Sequence, residues 1–153
     1  MELTIASASN LDAKKILELQ QICYQSEAGI YQDFSIPPLT QALESLVAEF
    51  ASYRFLIARS GPEIVGSVRA RTSETGCHIG RLIVHPRLQR RGIGSSLMRR
   101  IEEEFADARR YELFTGHLSE GNLRLYHRLG YREFKREPVS PNLVLVYMEK
   151  HRA

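Results

Sequence analysis

The segment Leu82-Ile83-Val84-His85-Pro86-Arg87-Leu88-Gln89-Arg90-Arg91-Gly92-Ile93-Gly94-Ser95-Ser96-Leu97 constrains this chain more than any other. Its apolar start reads as the end of a strand, and Pro86 stops that strand. Two glycines then open a helix whose apolar stripe recurs at Ile93, Leu97, Ile101 and Phe105, with Met98 widening it. A helix start leaves backbone N–H groups without intrahelical partners, and the helix dipole adds partial positive charge there. Gly92 and Gly94 remove the side chains that would keep an anion off that backbone, and Arg87, Arg90 and Arg91 add charge at the same end. The loop lacks the Gly-Lys-Ser/Thr ending of a nucleotide-triphosphate loop. Leu97 stands where a dinucleotide fingerprint needs its third glycine.

The remaining pattern supplies the elements around this unit. Leu3 to Ala8 reads as a strand. Asn10 is the expected N-cap of a helix from Leu11 to about Ser26, with a stripe through Leu11, Lys15, Leu19 and Ile22 and Ile16 beside it, ended by Gly29. A loop is expected from Gly29 to Pro38, and helical spacing returns from Thr40 to Phe50. Arg54–Arg59, Ile64–Arg71 and Cys77–His85 read as strands joined by short turns, a meander. In the second of these Ile64, Gly66, Val68 and Ala70 form the buried face, and Val65, Ser67, Arg69 and Arg71 the wetter one. Gly92 to about Ala108 is the strongest helix, Tyr111–Leu118 a strand, and Glu120–Leu129 a helix closed by Gly130. Arg132–Arg136 and Asn142–Met148 are the last strands, and the unbroken apolar run of the latter predicts cover on both faces. The order β α α β β β α β α β β gives an α/β (α+β) fold: a mixed, mostly antiparallel sheet of about seven strands flanked by about four helices.

Composition narrows the classes. At 153 residues the chain is one domain, 1–153, large enough to fold without disulfides or metals. The two cysteines and five histidines lack ligand spacing, so no metal is expected and a reducing, cytoplasmic setting is. No apolar run reaches membrane-spanning length, and the N-terminus lacks the pattern of a secretory signal. Seventeen of the 21 basic residues are Arg, which suits a phosphorylated ligand. They are scattered and often spaced to pair with Glu, which argues against a nucleic-acid binder.

Gln89-Arg90-Arg91-Gly92-Ile93-Gly94 matches Gln/Arg-x-x-Gly-x-Gly/Ala, and on it the chain resembles the GNAT superfamily of N-acetyltransferases. A second run, Asn122-Leu123-Arg124-Leu125-Tyr126-His127-Arg128-Leu129-Gly130-Tyr131, is similar to that family's downstream cofactor motif. The resemblance covers nearly the whole chain and implies acetyl-CoA as acetyl donor, with the fourth and fifth strands splayed around it. It places the pantetheine on the backbone of Leu82, Ile83 and Val84. It places the pyrophosphate at Gln89, Arg90, Arg91, Gly92, Ile93, Gly94 and Ser95, with Asn122 on the cofactor arm and Tyr126 near the sulfur.

The expected reaction is direct attack of a primary amine, from a small molecule or peptide, on the thioester in a ternary complex. The alternative is a sensor that holds acetyl-CoA without turnover. Tyr126 is the candidate proton donor to the departing thiolate, and an N–H near Leu82 the oxyanion donor. The resemblance implies a Glu four residues before Leu82; His78 stands there and is the candidate base, with His117 and Glu120 as rivals. A β-bulge between His78 and Leu82, which the family's irregular pairing suggests, would re-aim that side chain. The acceptor is expected beside Gly29–Pro38 and Glu137–Asn142, with Tyr31, Asp33 and Phe34 suiting an amine with an apolar body. The expected assembly is a monomer or homodimer.

Overall fold

The chain is built on one seven-stranded sheet with helices on both faces, and the strand order is β1-β2-β3-β4-β5-β7-β6. The structure is a computed structural model and describes residues 2–152. The strands are β1 (Leu3–Ser7), β2 (Arg54–Ser60), β3 (Glu63–Ser73), β4 (Gly76–Val84), β5 (Arg110–Gly116), β6 (Arg132–Ser140) and β7 (Leu143–His151). The helices are α1 (Ala13–Tyr31), α2 (Pro37–Thr40), α3 (Leu43–Glu49), α4 (Ile93–Glu104) and α5 (Glu120–Arg128), with 3-10 turns at Asn10–Asp12 and Pro86–Leu88.

The core has one layer on each face of the sheet. On one, Leu97, Met98 and Ile101 of α4 pack with Leu56, Val68, Ala70, Val146 and Met148. On the other, Ala13, Ile16 and Leu19 of α1 meet Leu46 of α3 and Phe55, Ile57 and Ile83 of the sheet. Each large aliphatic side chain so buried contributes about 1.5–3 kcal/mol relative to exposure. All pairings are antiparallel except β4 with β5, which run parallel and pair only at Cys77↔Tyr111 and His78↔Glu112. Beyond those two rungs the strands splay, so one edge of β4 faces an open gap.

Several boundaries differ from the sequence reading. Ser9, not Asn10, is the cap: its Oγ accepts from the Leu11 N–H at 3.3 Å, while its own N–H donates to Asp12 Oδ2 at 3.0 Å. Leu11 therefore lies in the capping turn, 91% exposed, and the buried stripe of α1 is Ala13, Ile16, Leu19, Gln20, Ala28 and Tyr31. Gly29 lies on the exposed side of α1 and does not stop it; Gln32, left-handed at φ 52°, does. Thr40–Phe50 is two helices, because Gln41 and Ala42 are extended. At the end of α4, Phe105 leaves helical geometry and its N–H is shared between the Ile101 and Glu102 carbonyls. Strand β6 runs four residues past Arg136, exposed almost throughout, which is why no apolar alternation marks it; its Pro138 is tolerated at a sheet edge. On β7, Val146 and Met148 are buried, whereas Leu143, Leu145 and Tyr147 line a groove instead of being covered.

Candidate active site

Strand β4 creates the site by breaking its own register. Arg69 of β3 faces Gly80, but Ser67 faces Ile83, so β4 carries one extra residue between them. Arg81 absorbs it with φ 51°, a left-handed conformation that costs a non-glycine residue on the order of 1 kcal/mol. This bulge and the splay from β5 leave the backbone at Leu82 without a ladder partner.

Two cavities meet there. The first, about 710 Å³, runs along β4 to the start of α4 and is lined by Leu82, Ile83, Val84, Gln89, Arg90, Gly92, Ile93, Gly94, Ser95 and Asn122. The second, about 490 Å³, lies over the sheet face beneath α1 and α2. Tyr24, Glu27, Leu82 and Asn122 border both, so the two adjoin at the bulge.

The first cavity ends in an anion cradle. Arg90 (φ 64°) and Gly92 (φ 84°) both adopt left-handed backbone, which turns successive N–H groups towards one side. Ser96 is the first residue of this turn whose N–H finds a helical carbonyl, donating to Gly92 at 3.0 Å; the amides ahead of it are the free ones of a helix start. A Cβ on Gly94 would lie 3.4 Å from Leu125 Cδ2 and 3.8 Å from Leu82 and Val84, so anything larger than a methyl would fill the cavity. Arg90, Arg124 and Arg128 ring this end, whereas Arg87 and Arg91 are exposed and off its wall. The Val84 carbonyl accepts from Gln89 Nε2 at 3.3 Å and Cys23 Sγ at 3.4 Å. Burial pushes the Cys23 thiol up to about 12, so it is a neutral wall group and not a nucleophile.

Tyr126 sits on α5 one turn beyond Asn122 and is buried, packed edge-on against Tyr131 at 6.0 Å. Tyr126 borders the second cavity, not the first. Burial raises its phenol well above the ordinary tyrosine range, so it stays protonated, the state a proton donor needs. Asn122 Nδ2 donates to Thr115 Oγ1 at 3.4 Å across the gap.

The second cavity separates the remaining candidates. His78 lines it, but Nε2 lies 2.7 Å from Ser73 Oγ and 3.3 Å from Thr75 Oγ1, and Nδ1 lies 3.7 Å from Glu112 Oε2. Desolvation lowers its pKa, against the pull of Glu112 and with help from Arg71 and Arg110. Four strand residues separate it from Leu82, roughly 13 Å at the strand rise, so it belongs to the far end of the groove. His117 is engaged elsewhere, its Nδ1 accepting from the Val144 N–H at 3.0 Å, and Glu120 is exposed at the mouth of the first cavity. Tyr31 lines the groove, yet its hydroxyl is committed to Ser119 Oγ at 2.8 Å and the Leu118 N–H at 3.0 Å. Asp33 and Phe34 are off the wall: Asp33 holds the Ser35 N–H and hydroxyl at 2.9 and 2.6 Å, and Phe34 is exposed. Ile36, Pro37 and Pro38 line the groove in their place.

Glu27 is a candidate residue that the sequence reading missed. It borders both cavities, and its Oε2 accepts from Ser119 Oγ at 2.7 Å. Because Ser119 has one hydroxyl proton, Tyr31 must donate in turn to Ser119, and the Leu118 N–H donates to Tyr31. The three donors form a largely buried chain aimed at one carboxylate, which is fixed at the meeting point of the cavities. Its signal was the spacing Tyr24, Glu27, Tyr31 on one face of α1. Arg69 and Arg71, read as a wetter face, and Arg81, which the sequence reading did not single out, also border the groove.

Comparison with known proteins agrees with this geometry. Residues 21–152 match the family model described as an acetyltransferase (GNAT) domain. The chain is 26% identical over 133 residues to the UPF0157 protein YqkA of Bacillus subtilis (strain 168), a match covering 87% of this chain and 38% of that protein's length. Among solved structures it is similar to the PaiA N-acetyltransferase of Thermoplasma acidophilum in complex with coenzyme A. That match has TM-score 0.81 and 18% identity, covering 99% of this chain and 100% of the other. The ribosomal-protein-S18-alanine N-acetyltransferase of Escherichia coli gives TM-score 0.80 and 14% identity, covering 98% and 94%. YncA of Salmonella typhimurium, a putative acetyltransferase solved with acetyl-CoA, gives 0.76 and 21%, covering 97% and 93%.

Proposed function

The chain belongs to the GNAT acetyltransferase family, and from that premise we propose that it is an N-acetyltransferase that moves the acetyl group of acetyl-CoA to a primary amine. The observation that carries the reading is that the two cavities adjoin at Leu82, with Glu27 on the wall of both and Tyr126 on the wall of the second. The residues fit acetyl-CoA. The amides from Arg90 to Ser95 suit the pyrophosphate, the open edge of β4 at Leu82–Val84 suits the amide-bearing pantetheine arm, and Asn122 reaches the same wall. When bound, acetyl-CoA supplies a thioester carbonyl open to attack by a neutral amine.

The protein's own groups then divide the work. The unladdered N–H at Leu82 donates to the carbonyl oxygen as negative charge grows there. Glu27 takes the proton from the amine, entering from the second cavity, and its fixed carboxylate holds the amine in line. Tyr126 gives its hydroxyl proton to the departing sulfur. His78 lines the acceptor groove without reaching the junction, so the base role passes from His78 to Glu27. A bare sensor would need neither an acceptor groove nor a held carboxylate at the thioester end. The test is release of free CoA thiol from acetyl-CoA, dependent on added amine. Stoichiometric binding with no amine-dependent release across small amines, amino acids and peptides would return the chain to a sensor.

A further inference from the structure

We infer that the acceptor amine carries a carboxylate, which Arg81 and Arg71 receive on the β3–β4 wall of the second cavity. The inference rests on the acetyl-transfer reading above and names the class of acceptor.

The charges on the groove wall do not balance internally. Arg69, Arg71, Arg81, Glu27 and Glu112 are its formally charged side chains, and His78, its pKa lowered, is neutral at pH 7. Arg69 is paired with Glu49 and lies over the Tyr53 ring at 4.2 Å. Glu112 is paired with Arg110 at 2.7 Å. Among the described residues Arg71 hydrogen-bonds the Tyr53 hydroxyl, at 3.3 Å from Nε, and lies 5.7 Å from the Tyr53 ring centre, while Arg81 hydrogen-bonds Gln41 Oε1, at 3.1 Å from Nη1. Among the described residues no carboxylate comes within salt-bridge distance of either.

Arg81 is half-buried, and desolvation pulls its pKa below the usual arginine value. A partly buried guanidinium with one neutral partner and unused donors is unfavourable until an anion meets it. Its planar fork suits a carboxylate held by two parallel bonds. Glu27, on the α1 wall of the same cavity, complements an ammonium. The groove is thus negative at the junction and positive along β3–β4, while Ile36, Pro37, Leu143, Leu145 and Tyr147 supply apolar wall between and around. An amine with a carboxylate and an apolar body satisfies all three features, whereas a polyamine would bring positive charge against Arg71 and Arg81.

The experiment follows thiol release from acetyl-CoA with matched acceptors: L-phenylalanine against phenethylamine and L-leucine against isoamylamine, with spermidine and phosphoethanolamine alongside. The expected result is a kcat/KM at least about 10-fold higher for the amino acid of each pair, as a charge-assisted hydrogen bond supports. In Arg81→Gln, and independently in the more exposed Arg71→Gln, that preference should collapse towards parity, with Arg81→Lys retaining part of it. Melting curves establish that each variant is folded. Parity in the wild type, or spermidine or phosphoethanolamine leading the panel, would overturn the inference and leave acetyl transfer standing. If no member turns over, calorimetry with N-acetyl-L-phenylalanine and N-acetyl-L-leucine on the CoA-loaded protein decides. Binding lost in Arg81→Gln supports the inference, and no binding to the wild type overturns it. Failure of the protein to bind CoA at all would overturn the acetyl-transfer reading beneath it.

Discussion

Gly116→Ala tests whether the hydroxyl chain behind Glu27 is built as described. Gly116 ends β5 opposite Leu145, and a Cβ there would fall on the Tyr31 hydroxyl. The ring is buried under α1, so it cannot step aside without giving up its bonds to Ser119 and the Leu118 N–H. Overpacking of this kind costs about 1–3 kcal/mol, and each neutral hydrogen bond lost costs about 1 kcal/mol. The expected destabilisation is therefore about 3–5 kcal/mol, read as a lower urea midpoint at unchanged m-value. For a domain of this size it lowers Tm by roughly 6–20 °C. Tyr31→Phe alone should cost about 1–2 kcal/mol, and the double variant less than the two added, because removing the hydroxyl relieves part of the clash. Turnover should fall in Gly116→Ala even where the protein is folded, since Ser119 then no longer holds Glu27. A Gly116→Ala protein within about 0.5 kcal/mol of wild type would refute the placement of Tyr31 and with it the positioning of Glu27.

Three further outcomes follow from the same geometry. Tyr126→Phe keeps the ring packed on Tyr131 and removes only the proton donor, so kcat should drop by about 10- to 100-fold with little change in CoA affinity; equal losses in both would assign Tyr126 to packing. Glu27→Gln should lower kcat/KM on the order of 100-fold with little change in CoA affinity, and turnover equal to wild type would exclude Glu27 as the base. His78 has a lowered pKa, so the fold favours its neutral form: that stability is full above the unfolded value near 6.5 and is lost as pH falls through the folded pKa. Urea midpoints between pH 7.5 and 5 should decline less steeply in His78→Gln than in wild type, and parallel slopes would contradict the shift.

The glycine turn and the helix after it were legible because their chemistry is local: two glycines, a proline and a four-residue apolar repeat state both the geometry and the anion site. The order of strands was equally readable from short apolar runs bounded by turns, although Val65 and Ser67, expected on a wetter face, are buried because helices cover both faces of β3. Helix α1 was misjudged at both ends, since Ser9 and Asn10 are equivalent caps by composition and Gly29 stops a helix only when no tertiary contact carries it on. Here Ala28 and Tyr31, on either side of it, are buried. Strand β6 was shortened because its residues alternate between nothing but exposed positions. The acceptor groove was hardest to read. Glu27, Arg71 and Arg81 come from α1, β3 and β4, and only the splay and the bulge bring them to one cavity. Asp33 and Phe34 looked suitable by residue type alone, but Asp33 spends its carboxylate on its own turn.

The account depends most on acetyl-CoA binding at the start of α4. Calorimetry of CoA with the wild type and with Gly94→Glu measures this directly. The glutamate would project from a position 3.4 Å from Leu125 and 3.8 Å from Leu82, filling the cavity with bulk and negative charge where the amides await a phosphate. The account predicts saturable one-to-one binding by the wild type and its loss in a Gly94→Glu protein that melts like its parent. Equal affinity in the two proteins would contradict it.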